Sequence, residues 1–381
     1  MNKKLLALAV AGAFAAPVAM ADTSNVVIYG VINMSVDQVD GGNDTTTSAG
    51  ASASERRTRI SSNNSNLGFK GTEDLGNGLS AIWQFESAIA FDVQARNDQT
   101  NGDGTGAVGS RNTFAGFSSK TLGALTFGNQ ESPMKTSIAK LDMFANTIAD
   151  YRTLLGPNTR MASSALYASP SFGGFDAKLG YSARNETGND STTGSVANPS
   201  YWSGSFTYAN GPILAAIAHE VEKTVASTAT NTKQTTTRAG FGYNFGAAKV
   251  GIGYNTTKFS TTTASVSSTI KVNTWMLSGA YAIGKTTLKA QYLRSGDTSG
   301  NATSSEGAKQ WAVGADYTLS KRTNLYALYT VLRNDTNSTR SLGGGAVNIG
   351  VLGSNTGIAT VNAASANQDP KAFSVGFVHS F

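Results

Sequence analysis

Residues 372–381, AFSVGFVHSF, alternate between apolar side chains and small or polar ones. Phe373, Val375, Phe377 and Phe381 fall on one face of an extended chain, and between them stand Ser374, Gly376 and Ser380. A period of two residues indicates a β-strand. The aromatic residue at its end is typical of the strand that closes a barrel in the bacterial outer membrane. The stretch alone is also compatible with an edge strand of a soluble sandwich.

The amino-terminal end favours the membrane interpretation. Residues 1–4 (MNKK) are basic, residues 5–16 are apolar, and residues 19–21 (AMA) have the small-x-small pattern of a cleavage site. This arrangement predicts a secretory signal peptide over residues 1–21 and a single barrel domain over residues 22–381. The chain has no cysteine, so an exported protein of this sequence must be stable without disulfides. No apolar run of about 18 residues follows the signal peptide, so no transmembrane helix is expected.

The composition favours a barrel over a soluble fold. The 381 residues include 42 Gly, 17 Phe and 13 Tyr, and the mean hydropathy is −0.18. Apolar residues are diluted by Ser, Thr, Gly, Asn and charged residues, whereas a soluble chain of this length would show amphipathic helices or solid apolar blocks. Such a chain suits a sheet with one face in lipid and the other in water.

The net charge of +6 at pH 7 raises the question of an acidic partner. The basic residues are scattered, without a long basic run or an RNA-binding aromatic motif, and an exported protein is not expected to meet nucleic acid. We therefore expect no nucleic acid partner and interpret most single charges as solvated surface groups.

Strand candidates are separated by connections, and short connections alternate with long ones along the chain. The short connections are rich in turn-forming residues, as in DLGNG (74–78) and NGP (210–212). The long ones are polar and are predicted as loops: 37–56, 94–110, 185–199, 223–234, 260–270, 295–307 and 333–371. The strands are predicted near 25–36, 57–73, 79–93, 111–118, 124–130, 160–168, 175–184, 200–209, 213–222, 235–244, 249–259, 271–282, 286–294, 308–319, 323–332 and 372–381. This pattern predicts an all-β fold, a transmembrane antiparallel β-barrel of 16 strands.

Single strands carry the two-residue period with different clarity. In the strand at 271–282, one face holds Trp275, Leu277 and Tyr281. In the strand at 323–332 the match is imperfect, because Leu328 falls on the polar face. Repetition over most strands, more than any one of them, indicates the barrel.

One long connection differs from the others. Residues 131–159 are richer in apolar side chains, which include Ile138, Leu141, Met143, Phe144, Ile148, Leu154 and Leu155. Such a segment would not stay fully in water, so we predict that it folds inward against the barrel wall and constricts the pore. The alternative is a short external helix packed on a neighbouring loop.

Several stretches resemble the Gram-negative general porins, and most closely the neisserial and Burkholderia-type branch. They are spread over the chain: NVVIYGVIN (25–33), NLGFKGTEDLGNGL (66–79), RNTFAGFSS (111–119), LYASPSFGGF (166–175), YTLSKRTNLYALY (317–329) and VGFVHSF (375–381). The resemblance implies a 16-stranded barrel in the cell outer membrane, a homotrimer in contact with lipid and lipopolysaccharide, and a third loop folded into the lumen.

The resemblance also implies a charged constriction. Arg111 and Arg160 match wall arginines of such porins, and Asp142 and Asp150 are the only aspartates of the third loop. Asn66 stands where relatives often have a basic residue. Candidates that restore this charge are Lys70 within the motif, or Arg57 and Arg59 upstream.

The expected function is passive diffusion of ions and small hydrophilic solutes through a water-filled channel, with a weak anion preference. Fixed Arg and Asp side chains in a narrow pore filter ions without a covalent step, so no enzyme activity, cofactor or metal is expected. A solute-selective or cation-preferring channel is the near alternative. An enzyme on a barrel is less favoured, because neither His219 nor His379 lies in a catalytic or metal-binding motif. A barrel adhesin is disfavoured by the apolar segment 131–159.

Overall fold

The computed structural model describes residues 25–41, 56–92, 108–156, 160–183, 200–227, 230–263, 266–300, 303–343 and 367–381. The predicted signal peptide lies outside these residues. The strands are β1 (Asn25–Asp40), β2 (Arg57–Ser62), β3 (Asn66–Gly76), β4 (Leu79–Ala88), β5 (Thr113–Ser119), β6 (Gly123–Glu131), β7 (Arg160–Ala168), β8 (Phe175–Ser182), β9 (Ser200–Asn210), β10 (Ile213–Ser227), β11 (Thr230–Asn244), β12 (Ala248–Thr263), β13 (Val266–Ile283), β14 (Thr286–Ser295), β15 (Ala308–Thr318), β16 (Thr323–Asn334) and β17 (Lys371–Ser380).

These strands form one closed antiparallel sheet. β1 pairs with β17 from Val31–Ser380 to Asp40–Lys371, which joins the two ends of the sheet. β2 and β3 pair with successive parts of β1, so they are two halves of one barrel strand, interrupted at 63–65. The barrel therefore has 16 strands, as the sequence predicts. The terminal aromatic reinforces the closure, since Phe381 and Gly30 exchange two backbone hydrogen bonds of 3.1 Å.

The predicted short turns are confirmed. β3 and β4 are joined at 77–78, where Asn77 and Gly78 have positive φ angles of 52° and 75°. Comparable turns join β9 to β10, β11 to β12 and β13 to β14 at the same end of the barrel, which we call the short-turn end.

Two segments predicted as loops are largely strand. The segments 223–234 and 260–270 mostly extend the hairpins β10–β11 and β12–β13 in continuous register. Their polar composition is typical of loops, but Thr is β-branched and favours extended backbone. Hydroxyl pairs such as Ser260–Thr269, at 2.9 Å, cross the second hairpin. Most of the predicted loops 37–56, 94–110, 185–199 and 333–371 lies outside the described residues.

The strands have an exposed apolar face and a buried face. On β13, Trp275 and Leu277 are 52% and 58% exposed, whereas Met276 and Ser278 between them are buried. The imperfect alternation of β16 also has an explanation, because Leu328 is buried in the same apolar cluster as Phe144. An apolar side chain on the otherwise polar face therefore marks a place where another part of the chain covers the wall.

Among the described residues, the segment between β6 and β7 contributes eight of the 19 buried members of this apolar cluster. It contains helix α1 (Pro133–Ser137) and two 3₁₀ turns, Ala139–Leu141 and Tyr151–Thr153. Ser132 caps α1 by accepting a hydrogen bond from the Lys135 backbone at 3.1 Å. Its buried apolar side chains are Met134, Ile138, Leu141, Phe144, Ile148, Ala149, Tyr151, Leu154 and Leu155. No helix in the described ranges is long and apolar enough to cross a membrane.

Candidate functional site

The β6–β7 segment, residues 131–159 and described to residue 156, is hydrogen-bonded to strands far apart in the barrel. The Met134 amide donates to the Ser203 hydroxyl of β9 at 3.0 Å. The Ser278 hydroxyl of β13 donates to the Leu141 carbonyl at 2.6 Å. From β1, the Asn33 side-chain amide donates to the Asn146 carbonyl at 2.7 Å. The strand partners Asn33, Ser203 and Ser278 are all buried, so the segment contacts the face opposite the exposed apolar one.

Arg238 of β11 joins the two ends of this segment. Its guanidinium donates to the Met134 carbonyl at 3.2 Å, to the Leu155 carbonyl at 3.0 Å and to the Gly156 carbonyl at 3.3 Å. The Asn255 side chain accepts from its Nε at 3.2 Å. Arg238 is fully buried, which requires such partners because an unpaired buried charge is strongly destabilising.

Glycines on β11 and β12 make room for the segment. A Cβ at Gly242 would lie 2.5 Å from the Leu141 side chain, and one at Gly240 would lie 2.6 Å from Ile138. The sequences AGFGYN (239–244) and VGIGYN (250–255) place a glycine at every second position. Sequence reasoning did not single out this alternation, although it is the signal that side chains of another segment pack against the wall here.

Arg111 lies next to the segment and pairs with a wall carboxylate. Its Nε donates to Glu86 at 2.5 Å, and Tyr29 donates its hydroxyl to the same carboxylate at 2.9 Å. Its Nη1 donates to the Asn64 side chain at 3.0 Å, and Asn64 donates onward to the Asn146 side chain at 2.7 Å. A continuous polar network therefore runs from the strand wall into the β6–β7 segment.

Arg160 forms a second group near the same place. It contacts Glu131 at 3.3 Å and donates from Nε to the Asn112 side chain at 3.2 Å. Lys135 contacts the same carboxylate at 3.0 Å. Asn112 directly follows Arg111, so the two predicted wall arginines lie in one patch, each paired with a glutamate that sequence reasoning did not single out.

Asp142 and Asp150 are buried within the segment. Asp142 accepts from the backbone amides of Phe144 at 2.9 Å and Tyr151 at 3.1 Å. Asp150 accepts from the Asn146 amide at 2.7 Å and forms an ion pair with Arg152 at 2.5 Å. Burial, and then the neighbouring carboxylate of Asp150, raise the pKa of Asp142, which lies outside the strands. These hydrogen-bond and ion-pair partners of the two aspartates all lie within the segment. The carboxylates bonded to Arg111 and Arg160 are instead Glu86 and Glu131.

The two remaining predicted residues lie on the strand wall. Arg59 contacts the buried Asp37 at 3.3 Å, and the same carboxylate accepts from the hydroxyls of Ser61 and Ser374, both at 2.6 Å. Lys70 is exposed, and its ammonium lies 5.2 Å from the centre of the Tyr29 ring. No group of three or more His, Asp or Glu side chains able to hold a metal ion occurs among the described residues.

Comparisons with known proteins agree with this architecture. The sequence matches the Gram-negative porin family over residues 7–337. It is 31% identical over 356 residues to the outer membrane porin protein 32 of Delftia acidovorans, covering 90% of this chain and 92% of the relative. Its structure is similar to the anion-selective porin from Comamonas acidovorans, with a TM-score of 0.71 and 24% identity over 94% of this chain and 100% of that one. The trimer form of OmpT from Vibrio cholerae gives a TM-score of 0.65 at 16% identity, with coverages of 94% and 100%.

The family match includes all strands from β1 through β16, and the relative from Delftia acidovorans aligns over nearly its whole length. Together with the closed barrel of 16 strands, these findings confirm the resemblance seen in the sequence. The chain belongs to the Gram-negative porin family of outer-membrane channel proteins.

Proposed function

We propose that this porin is a water-filled channel for passive diffusion of ions and small hydrophilic solutes, and that the β6–β7 segment lies in its lumen and narrows it. The observation that carries this proposal is the set of hydrogen bonds from one segment to β1, β9, β11 and β13. A short segment reaches strands so far apart around a closed barrel at the same time only from the inside. The same contacts favour an inward segment over an external helix.

The constriction that we propose is lined by wall arginines and their carboxylate partners. The side chains of Arg59, Arg111 and Arg160 are 26%, 15% and 18% exposed, so each presents part of its charge to the proposed lumen. Asp142 and Asp150 are buried, which supports a structural role for them: their carboxylates stabilise the backbone conformation of the segment. Lys70 adds a positive charge nearer the short-turn end.

The charge balance supports a weak anion preference. Asp37 is 1% exposed and Glu86 9%, so two of the three partner carboxylates are more shielded than the arginines they accompany. Charges at the narrowest point dominate ion selection, because loop charges are screened within about 8–10 Å at physiological salt. The structurally similar porin from Comamonas acidovorans is anion-selective, which agrees with this sign. Glu131, at 27% exposure, keeps the preference weak and makes a cation-preferring channel the near alternative.

The experiment is a single-channel recording in a planar bilayer with a KCl gradient. We expect an ohmic open channel whose reversal potential has the sign of chloride preference. A reversal potential of cation sign would favour the alternative, and absence of conductance from correctly assembled protein would contradict the channel itself. A saturable, solute-dependent current block by one uncharged solute only would favour a solute-selective channel.

We propose that no covalent chemistry accompanies transport. Each histidine is bonded to a threonine hydroxyl, His219 to Thr237 at 2.8 Å and His379 to Thr323 at 2.9 Å. Transport driven by the gradient of the solute needs no nucleophile, cofactor or metal. Turnover of an ester or peptide substrate by purified protein would contradict this proposal.

We also propose a homotrimer embedded in outer-membrane lipid and lipopolysaccharide, with residues 1–21 removed on export. The broad exposed apolar face, which includes Phe206, Leu277 and Tyr292, supports contact with lipid and with other subunits. Unheated protein should migrate on a gel as a trimer that heating dissociates, and its mature chain should begin at Asp22 by mass spectrometry. A protein that remains monomeric in mild detergent would contradict the homotrimer. A mature chain that retains residue 1 would contradict the removal of the signal peptide.

A further inference from the structure

A cavity of about 310 Å³ opens at the short-turn end, between the β6–β7 segment and the barrel wall. The segment contributes Lys140, Leu141 and Met143 to its lining. The wall contributes Leu214 of β10 and Lys249 of β12, and the β9–β10 turn forms part of the rim. Its volume is at the lower end of the range of about 300–1,000 Å³ usual for small-molecule pockets.

The apolar floor of this cavity is fixed in place. Leu141 is 4% exposed, and its side chain would lie only 2.5 Å from a Cβ at Gly242, so it is packed directly on the wall backbone. The hydrogen bond of 2.6 Å from Ser278 to the Leu141 carbonyl holds the backbone at the same point. A ligand would therefore meet a preformed surface and would not have to order it.

Two positive charges stand at this cavity without carboxylate partners. Lys140 and Lys249 are exposed, and the lining contains no acidic residue. In the described part of the chain, no carboxylate lies within 4.0 Å of either ammonium group. Lys289, by contrast, contacts Asp316 at 2.6 Å. The cavity thus combines an apolar floor with uncompensated positive charge.

We propose that this cavity binds small monocarboxylates with an apolar body, of the aryl or short-chain alkyl class, with the carboxylate between Lys140 and Lys249. The ammonium groups attract the carboxylate, and the hydrocarbon part covers Leu141, Met143 and Leu214. An inorganic anion or acetate lacks the apolar part, and an aryl alcohol lacks the charge, so both bind more weakly. A ligand of about nine heavy atoms is expected to bind with a Kd on the order of millimolar.

This inference rests on the proposed channel, because a bound acid matters for transport only if the cavity borders the solute path. Bound acid would lie between the constriction and the short-turn mouth. It would hinder ion flow from that side more than from the other.

Calorimetry on the detergent-solubilised full-length trimer tests binding without reference to current. Benzoate should bind wild-type protein saturably, and acetate and benzyl alcohol should bind at least about five-fold more weakly. The double variant Lys140→Gln/Lys249→Gln should lose about five-fold or more in benzoate affinity. Lys285→Gln is the matched control, since Lys285 is exposed at the same end but does not line the cavity, and it should leave the affinity unchanged.

Current recordings then test the position of the site. Benzoate added from the short-turn side should reduce open-channel current more than benzoate added from the opposite side, and the double variant should lose this asymmetry. Benzoate binding that is absent, that equals acetate binding, or that survives in the double variant would overturn the site, whatever the conductance of the channel. A protein that binds benzoate as described but carries no current would instead contradict the proposed channel.

Discussion

Arg238 donates a hydrogen bond of 3.0 Å to the Leu155 carbonyl, although 83 residues separate them in the sequence. The same guanidinium reaches the Met134 carbonyl at 3.2 Å. One wall side chain therefore ties together the beginning and the end of the β6–β7 segment. The segment keeps its path because both of its ends are fixed to one strand.

Replacement of Arg238 by Met should loosen the segment. The carbonyls of Met134 and Leu155 would lose a charged donor, at a cost of about 3 kcal/mol. We expect a lower melting temperature of the trimer, together with open-channel noise and brief conductance increases. Arg333→Met is the control, since the Arg333 side chain is 65% exposed on β16. Quiet currents of wild-type amplitude in Arg238→Met would show that the segment is held by other contacts.

Replacement of Gly242 by Ala should displace Leu141. The new Cβ would lie 2.5 Å from the Leu141 side chain, and relief of such an overlap costs about 1–3 kcal/mol. The double variant Gly242→Ala/Leu141→Ala should recover part of the melting temperature, a coupling that a double-mutant cycle measures. Gly279→Ala is the matched control, because the nearest atom to a Cβ there is 3.6 Å away. Additive effects of the two substitutions would contradict direct packing.

Neutral replacement of Arg111 and Arg160 should change ion selection. Arg111→Gln/Arg160→Gln leaves Glu86 and Glu131 without their arginine partners, so the reversal potential in a KCl gradient should move toward cations. Glu86→Gln should move it in the opposite direction. Arg322→Gln, at an exposed turn position, should leave it unchanged. A double variant with the reversal potential of wild type would show that these arginines do not line the constriction.

The carboxyl group of Asp142 should make the stability of the segment depend on pH. Burial and Asp150 raise its pKa to about 8, above the ordinary value, so the folded state holds a proton that the unfolded state has lost. Stability from this group is present at low pH and is lost as pH rises from about 4 toward that raised value. The trimer melting temperature of wild type minus that of Asp142→Asn should therefore fall between pH 5 and pH 8. A difference that is constant over this interval would show that the pKa of Asp142 is not shifted on folding, and a difference that rises would show linkage of the opposite sign.

The sequence by itself determined the class of the fold and most of its strands. Alternation at positions such as Trp275 and Leu277 is local, because the side-chain period of a strand needs no knowledge of its neighbours. Turn residues such as Asn77 and Gly78 are equally local, since only a few residue types adopt positive φ at low cost. The strands β10 to β13 are longer than the sequence predicts, because polar Thr-rich strands and polar loops have similar compositions.

Tertiary structure alone decided which charges meet. The sequence showed that Arg111 and Arg160 stand at strand starts, but their pairing with Glu86 and Glu131 depends on strand register and on the path of the chain between strands. Asp142 was singled out as a charge and is instead a buried acceptor of backbone hydrogen bonds. Arg238 had no signal in sequence that distinguishes it from a solvated arginine. Arg238 has its role only because the folded barrel brings β11 against carbonyl groups of a segment about a hundred residues earlier in the chain. The separation of two residues in sequence does not tell how far apart they lie in space.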